Sequence, residues 1–304
     1  MNKNNFIPTN EHNKCAPSKQ YSEGTCFTLE ALQTLAKEYN INVGMHNNSI
    51  ITITNSKQDL LKQLSKNIVN CGSDQLCWIK QSWLNNNKHE DIVKNTFRPK
   101  GPQAKFKWFS TTNINEIISQ YEYKYKDFLY LGAVPMNFEK LSDLDLSNID
   151  YDDLYNNNKT KLGMVINLDE HWQSGSHWVA LYADINQNKI YYFDSYGIKP
   201  EQRVCDFVKK IALWCYHRNI KKNKNIKNLD TESQFMKKYK NKYENIMDIR
   251  YNQTRHQYKN SECGVYSVNF ILRLLKGDSF DKITNSPVND DKINKCREVY
   301  FTFK

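Results

Sequence analysis

Apolar residues in the first third of the chain recur at intervals of three and four, which is the spacing of one face of a helix. The first such run opens at Thr28, the second can be capped by Ser56, and the third by Ser73 or Asp74. A short fourth run surrounds Ile92. The pattern predicts a helical N-terminal region whose apolar faces form a core.

The segment Arg98–Pro102 contains two prolines and a glycine, which do not continue a helix. After it, the pattern becomes a mixture of helices and strands. Ser110 or Thr111 can cap the next helix, and turn-forming residues at Asp184–Asn188 separate the two strands of a predicted β-hairpin. We therefore predict domains at 1–98 and 99–304, with strands at 128–134, 163–168, 178–183, 189–193 and 246–251 and helices at 204–214 and 265–275.

Composition argues against two classes of protein. No stretch approaches the roughly 18 consecutive apolar residues of a membrane span, and Met1–Asn5 lacks the apolar core of a secretory signal. We therefore expect intracellular synthesis and no membrane span. The eight cysteines are spread along a long chain with poor zinc spacing, so free thiols are expected, with no metal or organic cofactor.

The net charge of the chain is +10, and much of the excess lies in a polar stretch at residues 218–245. Such a stretch is typical of a solvated surface insertion. The alternative is nonspecific attraction to nucleic acid or to an acidic partner.

One cysteine occupies a position suited to nucleophilic chemistry. Cys263 directly precedes Val265–Leu275, an almost entirely apolar segment that predicts a buried helix. A thiol at a helix N-terminus meets the positive end of the helix dipole and unpaired N–H groups, both of which favour the thiolate. Gly264 leaves room beside the sulfur for a substrate backbone. A buried, inert cysteine is the alternative, and the residues that accompany Cys263 decide between the two.

A cysteine nucleophile needs a base, and the base needs a group that orients it. His177 begins one side of the predicted hairpin and Asp194 follows the other. A hairpin centred near residues 185–186 pairs positions whose numbers sum to about 371, as 177 and 194 do, so their side chains should face each other. His171 is the rival base, but it lies in a polar loop and its pairing position falls beyond the strand.

Acyl transfer also needs hydrogen-bond donors for the developing oxyanion. Gln257 lies six residues before Cys263, where its amide can turn toward the sulfur. The backbone N–H of Cys263 would be the second donor. Taken alone, Gln257 could equally be a surface glutamine.

These candidates together resemble the signature of the SUMO-specific-protease-like cysteine peptidases. That papain-like family includes the adenovirus-type proteases and the enzymes that remove SUMO and NEDD8. The chain is similar, more closely, to the polyprotein-processing proteases of nucleocytoplasmic large DNA viruses, such as that of African swine fever virus. The resemblance covers residues 103–304 and depends on Trp108-Phe109-Ser110, His177-Trp178, Phe193-Asp194-Ser195, and Gln257 followed after five residues by Cys263-Gly264.

The resemblance implies an α+β fold in which a central mixed sheet has flanking helices and the catalytic cysteine begins a buried helix. It also implies specificity for Gly-Gly or Gly-X before the scissile bond, because aromatic residues of the family roof a narrow tunnel. Trp178 and Trp108 match those positions, although either could instead be a core tryptophan. The insertion at 218–245 lengthens the separation of Asp194 from Gln257, which leaves the local substrate contacts open.

The function implied by the resemblance is that of a cysteine endopeptidase that matures viral capsid or core precursors. Its expected partners are protein substrates, and its expected locations are the host cytoplasm and the virion. One alternative is an isopeptidase that removes SUMO or another ubiquitin-like modifier. A second is a pseudoenzyme or a nucleic-acid-binding structural protein that uses the basic surface.

Overall fold

The structure is a computed structural model that describes residues 14–104, 106–222 and 247–302. Most of the predicted basic insertion, 218–245, therefore lies outside the described residues. The described chain divides into two compact units, and the boundary between them falls between Gly101 and Pro102. Residues 300–302 group with the N-terminal unit. Among the described residues, no helix is both long enough and apolar enough to cross a membrane.

The N-terminal unit is built from short helices around one apolar core. Thr28, Ser56 and Asp74 cap three of them through their side chains, as the sequence predicts. The third is shorter than expected and ends at Trp78, so that Trp83 lies outside it. The helices are α1 (Leu29–Tyr39), α2 (Lys57–Asn67), α3 (Gln75–Trp78) and α4 (Glu90–Asn95), with a π-helical turn at Asn40–Gly44.

Two disulfides in the N-terminal unit correct the expectation of free thiols. Cys15 is bonded to Cys26 and Cys71 to Cys77, with Cα atoms 5.3 and 5.5 Å apart. The wide spacing of the eight cysteines along the sequence does not show which of them form pairs. The fold determines which pairs meet at bonding distance. The remaining four cysteines, at positions 205, 215, 263 and 296, are not disulfide-bonded.

The second unit contains a mixed sheet. Among the described residues, five strands lie in the order β1-β2-β3-β4-β5. The outer pairs, β1 with β2 and β4 with β5, are parallel, and the inner pairs are antiparallel. The strands are β1 (Phe128–Pro135), β2 (Lys161–Asn167), β3 (Trp178–Asp184), β4 (Lys189–Phe193) and β5 (Asp248–Tyr251).

Helices accompany this sheet, and three of them match the helix predicted to begin at Ser110 or Thr111 and those predicted at 204–214 and 265–275. Ser110 caps the first through a capping box with Asn113. The helices are α5 (Thr111–Lys124), α6 (Tyr151–Asn156), α7 (Gln202–Lys222), α8 (Cys263–Leu275), α9 (Phe280–Thr284), α10 (Asp290–Ile293) and α11 (Cys296–Tyr300), with 3-10 turns at Phe138–Lys140, Ser142–Leu144 and Leu146–Asn148.

The β3–β4 hairpin positions the candidate base, and its register differs from the prediction. Ala180 pairs with Phe193 and Asp184 with Lys189, so paired residue numbers sum to 373 instead of 371. The strands are joined by residues 185–188, and Asn188 has a left-handed φ of 57°. The turn is therefore centred one residue later than expected, which shifts the pairing by two.

Helix α8 is buried along its whole length and packs on β2 and β3. Gly163 on β2 permits the close approach, because a Cβ there would lie 3.3 Å from Ile271 of α8 and 2.8 Å from the ring of Phe128. The sheet and α5 thus hold the N-terminus of α8 at a fixed position in the unit.

Candidate active site

Cys263 is the first residue of α8 and is 2% exposed. Its backbone N–H and those of the following turn have no partner within the helix, so the sulfur lies at the positive end of the helix dipole. Gly264 also has a packing role that was not predicted. A Cβ at this position would lie 2.9 Å from the Cβ of Phe109, so glycine is needed for Phe109 to pack against the start of α8.

His177 lies directly before β3 and donates from Nε2 to Oδ1 of Asp194 at 2.7 Å. The two residues meet despite the corrected register, because the chain leaves the ladder after Phe193 and turns. Asp194 is 1% exposed, and its Oδ1 also accepts from the backbone N–H of Tyr196 at 2.8 Å. The Tyr196 ring stacks on the imidazole, with centroids 4.6 Å apart.

Asn252 fixes the backbone that carries Asp194. Its side chain accepts from the N–H of Asp194 at 2.8 Å and donates to the carbonyl of the same residue at 2.7 Å. Asn252 follows β5, so these two bonds join the ends of β4 and β5. Asp194 is therefore held through both its backbone and its carboxylate, as an orienting group requires.

The imidazole of His177 interacts with the Cys263 thiol as well as with Asp194. Since Nε2 is taken by the carboxylate, Nδ1 is the nitrogen that remains for the thiol. Burial opposes protonation of the ring, but the hydrogen bonds and negative charges of Asp194 and Cys263 outweigh it and raise the pKa of His177 to about 9. The structure therefore brings together three of the four predicted site residues as a thiol, a base and a carboxylate.

Gln257, the fourth candidate, is fully buried on the loop that leads into α8. Its Oε1 accepts from Ser195 Oγ at 2.7 Å, and its Nε2 donates to the carbonyl of Lys259 at 2.7 Å. The backbone N–H groups of His256 and Gln257 both donate to the carbonyl of Ser195. These bonds orient the amide, and its second N–H is the one that it can offer to a substrate oxygen.

A buried polar network lies behind the nucleophile. Glu262, directly before Cys263, accepts from the backbone N–H of Ser261 at 2.8 Å and from Asn294 Nδ2 at 2.9 Å. Arg297 is fully buried and donates to Asn294 Oδ1, the carbonyl of Ser261 and the carbonyl of Lys107. Burial lowers the pKa of Arg297 to about 10, against the opposite effects of the Glu262 and Cys263 charges. The guanidinium therefore stays protonated at neutral pH.

A second anchor holds the loop that precedes Cys263. Asp290, at the start of α10, accepts from the backbone N–H groups of Tyr258 and Lys259 at 2.9 Å each. Its other oxygen accepts from the hydroxyl of Tyr266 at 3.2 Å. The C-terminal helices thus determine the path of the chain between Gln257 and Cys263.

A cleft of about 500 Å³ is lined by residues of the second unit, among them Trp178. Trp178, which follows His177 in the chain, is 6% exposed, and its Nε1 donates to the carbonyl of Phe109 at 2.9 Å. Trp108 is 45% exposed, and both indoles line the cleft. We call this space the tryptophan cleft; its other lining residues include Pro135, Asn167 and Gly175.

The rival base, His171, lies elsewhere. Its Nδ1 accepts from the amide nitrogen of Asn137 at 2.7 Å, and its ring contacts Trp172 edge to face. The side chain of His171 lines the tryptophan cleft. Of these two histidines, His177 is the one that bonds Asp194 and whose pKa is raised by Cys263.

Comparison with known proteins shows the family of the chain. The family model for the catalytic domain of the Ulp1 proteases matches residues 157–303. The R355 protein of Acanthamoeba polyphaga mimivirus, which bears the name of a thiol protease, is 35% identical over 95% of this chain and 93% of its own length. The chain belongs to the Ulp1 protease family. It is a cysteine protease.

Other relatives of this Ulp1-family protease are also viral. The SUMO-1 cysteine protease S273R of African swine fever virus is 22% identical, over 69% of this chain and 73% of the relative. The crystal structure of the pS273R protease of that virus superposes with a TM-score of 0.61, covers 98% of both chains and is 18% identical. The likeness between the structures shows the fold, and the α+β protease fold expected from the sequence is confirmed.

Sequence reasoning missed the residues that support the site of this protease. Asn252, Tyr196, Asp290 and Arg297 each contact the loops that carry the four candidates. Arg297 is 36 residues from Ser261 and 190 from Lys107, so no local pattern connects them. A weak signal existed for Tyr196, since it lies two residues after Asp194 at the end of a strand.

Proposed function

We propose that this protease is an endopeptidase that cleaves after small residues, at Gly-Gly-X or Gly-X sequences. Its substrates would be viral capsid or core precursors, cleaved in the host cytoplasm and in the virion. The observation that carries the proposal is the cluster of Cys263, His177 and Asp194, in which the imidazole bonds the carboxylate and interacts with the thiol. Trp178, the residue after His177, lines the tryptophan cleft.

In the proposed reaction, the proton of Cys263 passes to His177, and the thiolate attacks the carbonyl carbon of the small residue before the scissile bond. The oxyanion accepts hydrogen bonds from the Gln257 amide and the Cys263 backbone N–H. The imidazolium protonates the leaving amine, and water then hydrolyses the thioester. The raised pKa of His177 supports these steps, because the ring that has taken the thiol proton holds it at neutral pH until the leaving amine accepts it.

The specificity for small residues is supported by the two indoles. Trp178 is held by the carbonyl of Phe109, so its ring cannot move aside without losing that bond. Trp108 lines the same cleft from a more exposed position. A peptide that passes between two indoles in an extended conformation has little room for a Cβ. Residues with a larger side chain are therefore rejected by steric clash.

An isopeptidase acting on a ubiquitin-like modifier is the alternative. It is favoured by the name of the African swine fever virus relative, which describes a SUMO-1 protease. Modifiers of this class also end in Gly-Gly, so the tryptophan cleft suits either substrate. The two proposals differ in the leaving group, which is an α-amine in a precursor and a lysine side-chain amine in a conjugate.

The test is a panel of substrates cleaved by the purified protease, with Cys263→Ala as the control. One set contains peptides with Gly-Gly-X sites and their Ala-Ala-X counterparts; the other contains SUMO, NEDD8 and ubiquitin joined to lysine. Products are identified by mass spectrometry.

We expect cleavage of Gly-Gly-X, loss of cleavage for Ala-Ala-X, and no activity of the Cys263→Ala variant. Efficient cleavage of Ala-Ala-X would refute the proposed role of the indoles. Faster turnover of lysine conjugates than of peptides would favour the isopeptidase.

A further inference from the structure

Beyond the catalytic cluster, side chains extend in a series from His177 to the surface. Tyr196 stacks on His177 with an interplanar angle of 18°. The guanidinium carbon of Arg255 lies over the Tyr196 ring at 5.1 Å and over the Tyr258 ring at 4.8 Å. We call Tyr196, Arg255 and Tyr258 the ring stack. It connects the face of the candidate base to an exposed edge of the protein.

Arg255 is held in place and keeps its charge available. Its Nε donates to the carbonyl of Gln257 at 2.7 Å, and two rings confine its guanidinium plane. Within the part of the chain that the structure describes, no carboxylate lies at ion-pair distance from it. The acidic side chains of the adjoining loop are otherwise engaged, since Asp290 accepts backbone N–H groups and Asp291 pairs with Lys259.

The ring stack lies apart from the tryptophan cleft, because none of its residues lines that cleft. It is nevertheless next to the reacting atoms. Tyr196 touches His177, and its phenol experiences the charges of Cys263 and Arg255. If the tryptophan cleft holds the residues before the scissile bond, as the proposed function requires, the ring stack borders the path of the residues after it.

We propose that the ring stack is a specificity site for the leaving-group side of the substrate, where Arg255 selects an acidic side chain within the first two residues after the scissile bond. This inference rests on the proposed function and names a further feature of its substrates.

The physical basis is a fixed cation at a partly exposed surface. An arginine that stacks on aromatic rings keeps the edge donors of its guanidinium free, and their geometry matches both oxygens of a carboxylate. Confinement by the rings reduces the side-chain entropy lost on binding. Tyr258 is 70% exposed, so the site is solvated and an exposed ion pair is worth only ~0.2–1 kcal/mol. Since lysine adds repulsion where glutamate adds attraction, the two effects add, and we expect a preference of roughly two- to thirtyfold for glutamate over lysine.

The experiment compares Gly-Gly-X peptides that differ only in the first or second residue after the scissile bond, with glutamate, glutamine or lysine in turn. The measured quantity is kcat/KM, at low and at high salt. We expect glutamate to be preferred to glutamine and glutamine to lysine, and the preference to shrink in high salt because of screening.

Two variants separate charge selection from a structural role. Arg255→Glu should invert the order so that lysine is preferred. If Arg255 acted only through its hydrogen bond to the Gln257 carbonyl, its loss would instead lower kcat/KM equally for all three peptides. Arg255→Gln should abolish the preference. Lys276→Glu is the matched control, because it makes the same charge change at an exposed residue. Lys276 directly follows α8, at the opposite end of the helix from Cys263. It should keep the wild-type order.

The outcomes distinguish this inference from the function on which it rests. If no Gly-Gly-X peptide is cleaved, the proposed function fails and the inference fails with it. If the peptides are cleaved with equal kcat/KM for glutamate and lysine, the inference alone is overturned. Retention of the wild-type order by Arg255→Glu, folded as judged by its melting temperature, would also overturn it.

Discussion

Replacing Asp194 with asparagine should change the pH dependence of this protease in a way that the site geometry specifies. The substitution keeps the shape of the side chain and removes the charge that faces Nε2 of His177 at 2.7 Å. His177 has a pKa of about 9 against an ordinary value of 6.5. That difference corresponds to about 3 kcal/mol in favour of the imidazolium, to which both Asp194 and Cys263 contribute.

The direction of the pH effect on kcat/KM depends on which protonation state of His177 the reaction needs. The imidazolium donates the proton to the leaving amine, so kcat/KM should fall as the pH rises through about 9 in the wild type. In Asp194→Asn this basic limb should move toward the ordinary pKa of histidine. The variant should also lose roughly 10²-fold or more in kcat, because the imidazole is no longer held in one orientation.

Folding stability should follow the same linkage. Because the folded-state pKa of His177 is raised, its contribution is fully present below the unfolded pKa of 6.5 and is lost as the pH rises through about 9. Asp194→Asn should therefore lose stability relative to the wild type mainly at neutral and lower pH.

The assay is the pH profile of kcat/KM for a Gly-Gly-X peptide, supported by NMR titration of labelled histidine. Asp248→Asn is the control, since Asp248 is a carboxylate of the same unit that bonds Tyr191 and Arg250 instead of the site. The control should keep the wild-type basic limb. A basic limb that stays in place in Asp194→Asn would refute the reasoning, because His177 would then not owe its raised pKa to this carboxylate.

Three further substitutions test other parts of the site. Gln257→Ala should lower kcat by roughly 10²–10³, the scale of one oxyanion donor, and an unchanged kcat in a peptide assay would remove Gln257 from the mechanism. His171→Ala should keep the wild-type kcat, and an inactive variant would show that the wrong histidine was chosen. Arg297→Met should lower the free energy of unfolding in urea by about 3 kcal/mol, because it leaves the Asn294 amide oxygen and the carbonyls of Ser261 and Lys107 without their donor; a loss below about 0.5 kcal/mol, the scale of a neutral surface substitution, would contradict the role of this network.

Local sequence signals predicted most helices, because a cap and an apolar face lie within a few residues of each other. Ser56 and Ser110 each accept from the third residue of the helix that they begin. The third helix was the exception. It ends at Trp78, where the chain turns after only four helical residues, although Trp83 continues the apolar spacing. Apolar spacing alone does not fix where a helix ends.

The sequence predicts which residues meet near Cys263 better than it predicts how the chain brings them together. The motif around Cys263 and the strand ends at His177 and Asp194 are visible in the sequence, and the three meet in the structure. The hairpin register was wrong by two, since turn-forming residues alone do not show at which residue the turn is centred. Bending of the chain after Phe193, not the ladder, brings Asp194 to the imidazole.

Long-range contacts could not be read from the sequence. Arg297 and Asp290 hold the approach to Cys263 from the C-terminal helices, across separations that no periodicity spans. The disulfides of the N-terminal unit were missed for a related reason. The sequence shows that Cys15 and Cys26 exist, but only the folded loop brings their Cα atoms to 5.3 Å.

The most direct test of the catalytic account is a covalent trap: a Gly-Gly peptide with a vinyl sulfone in place of the scissile carbonyl. The adduct is mapped by tandem mass spectrometry. We predict one adduct, on Cys263, that stops peptide cleavage and forms far more slowly in His177→Ala. An adduct on Cys205, Cys215 or Cys296 that stops cleavage, or continued cleavage by protein fully labelled at Cys263, would contradict the account.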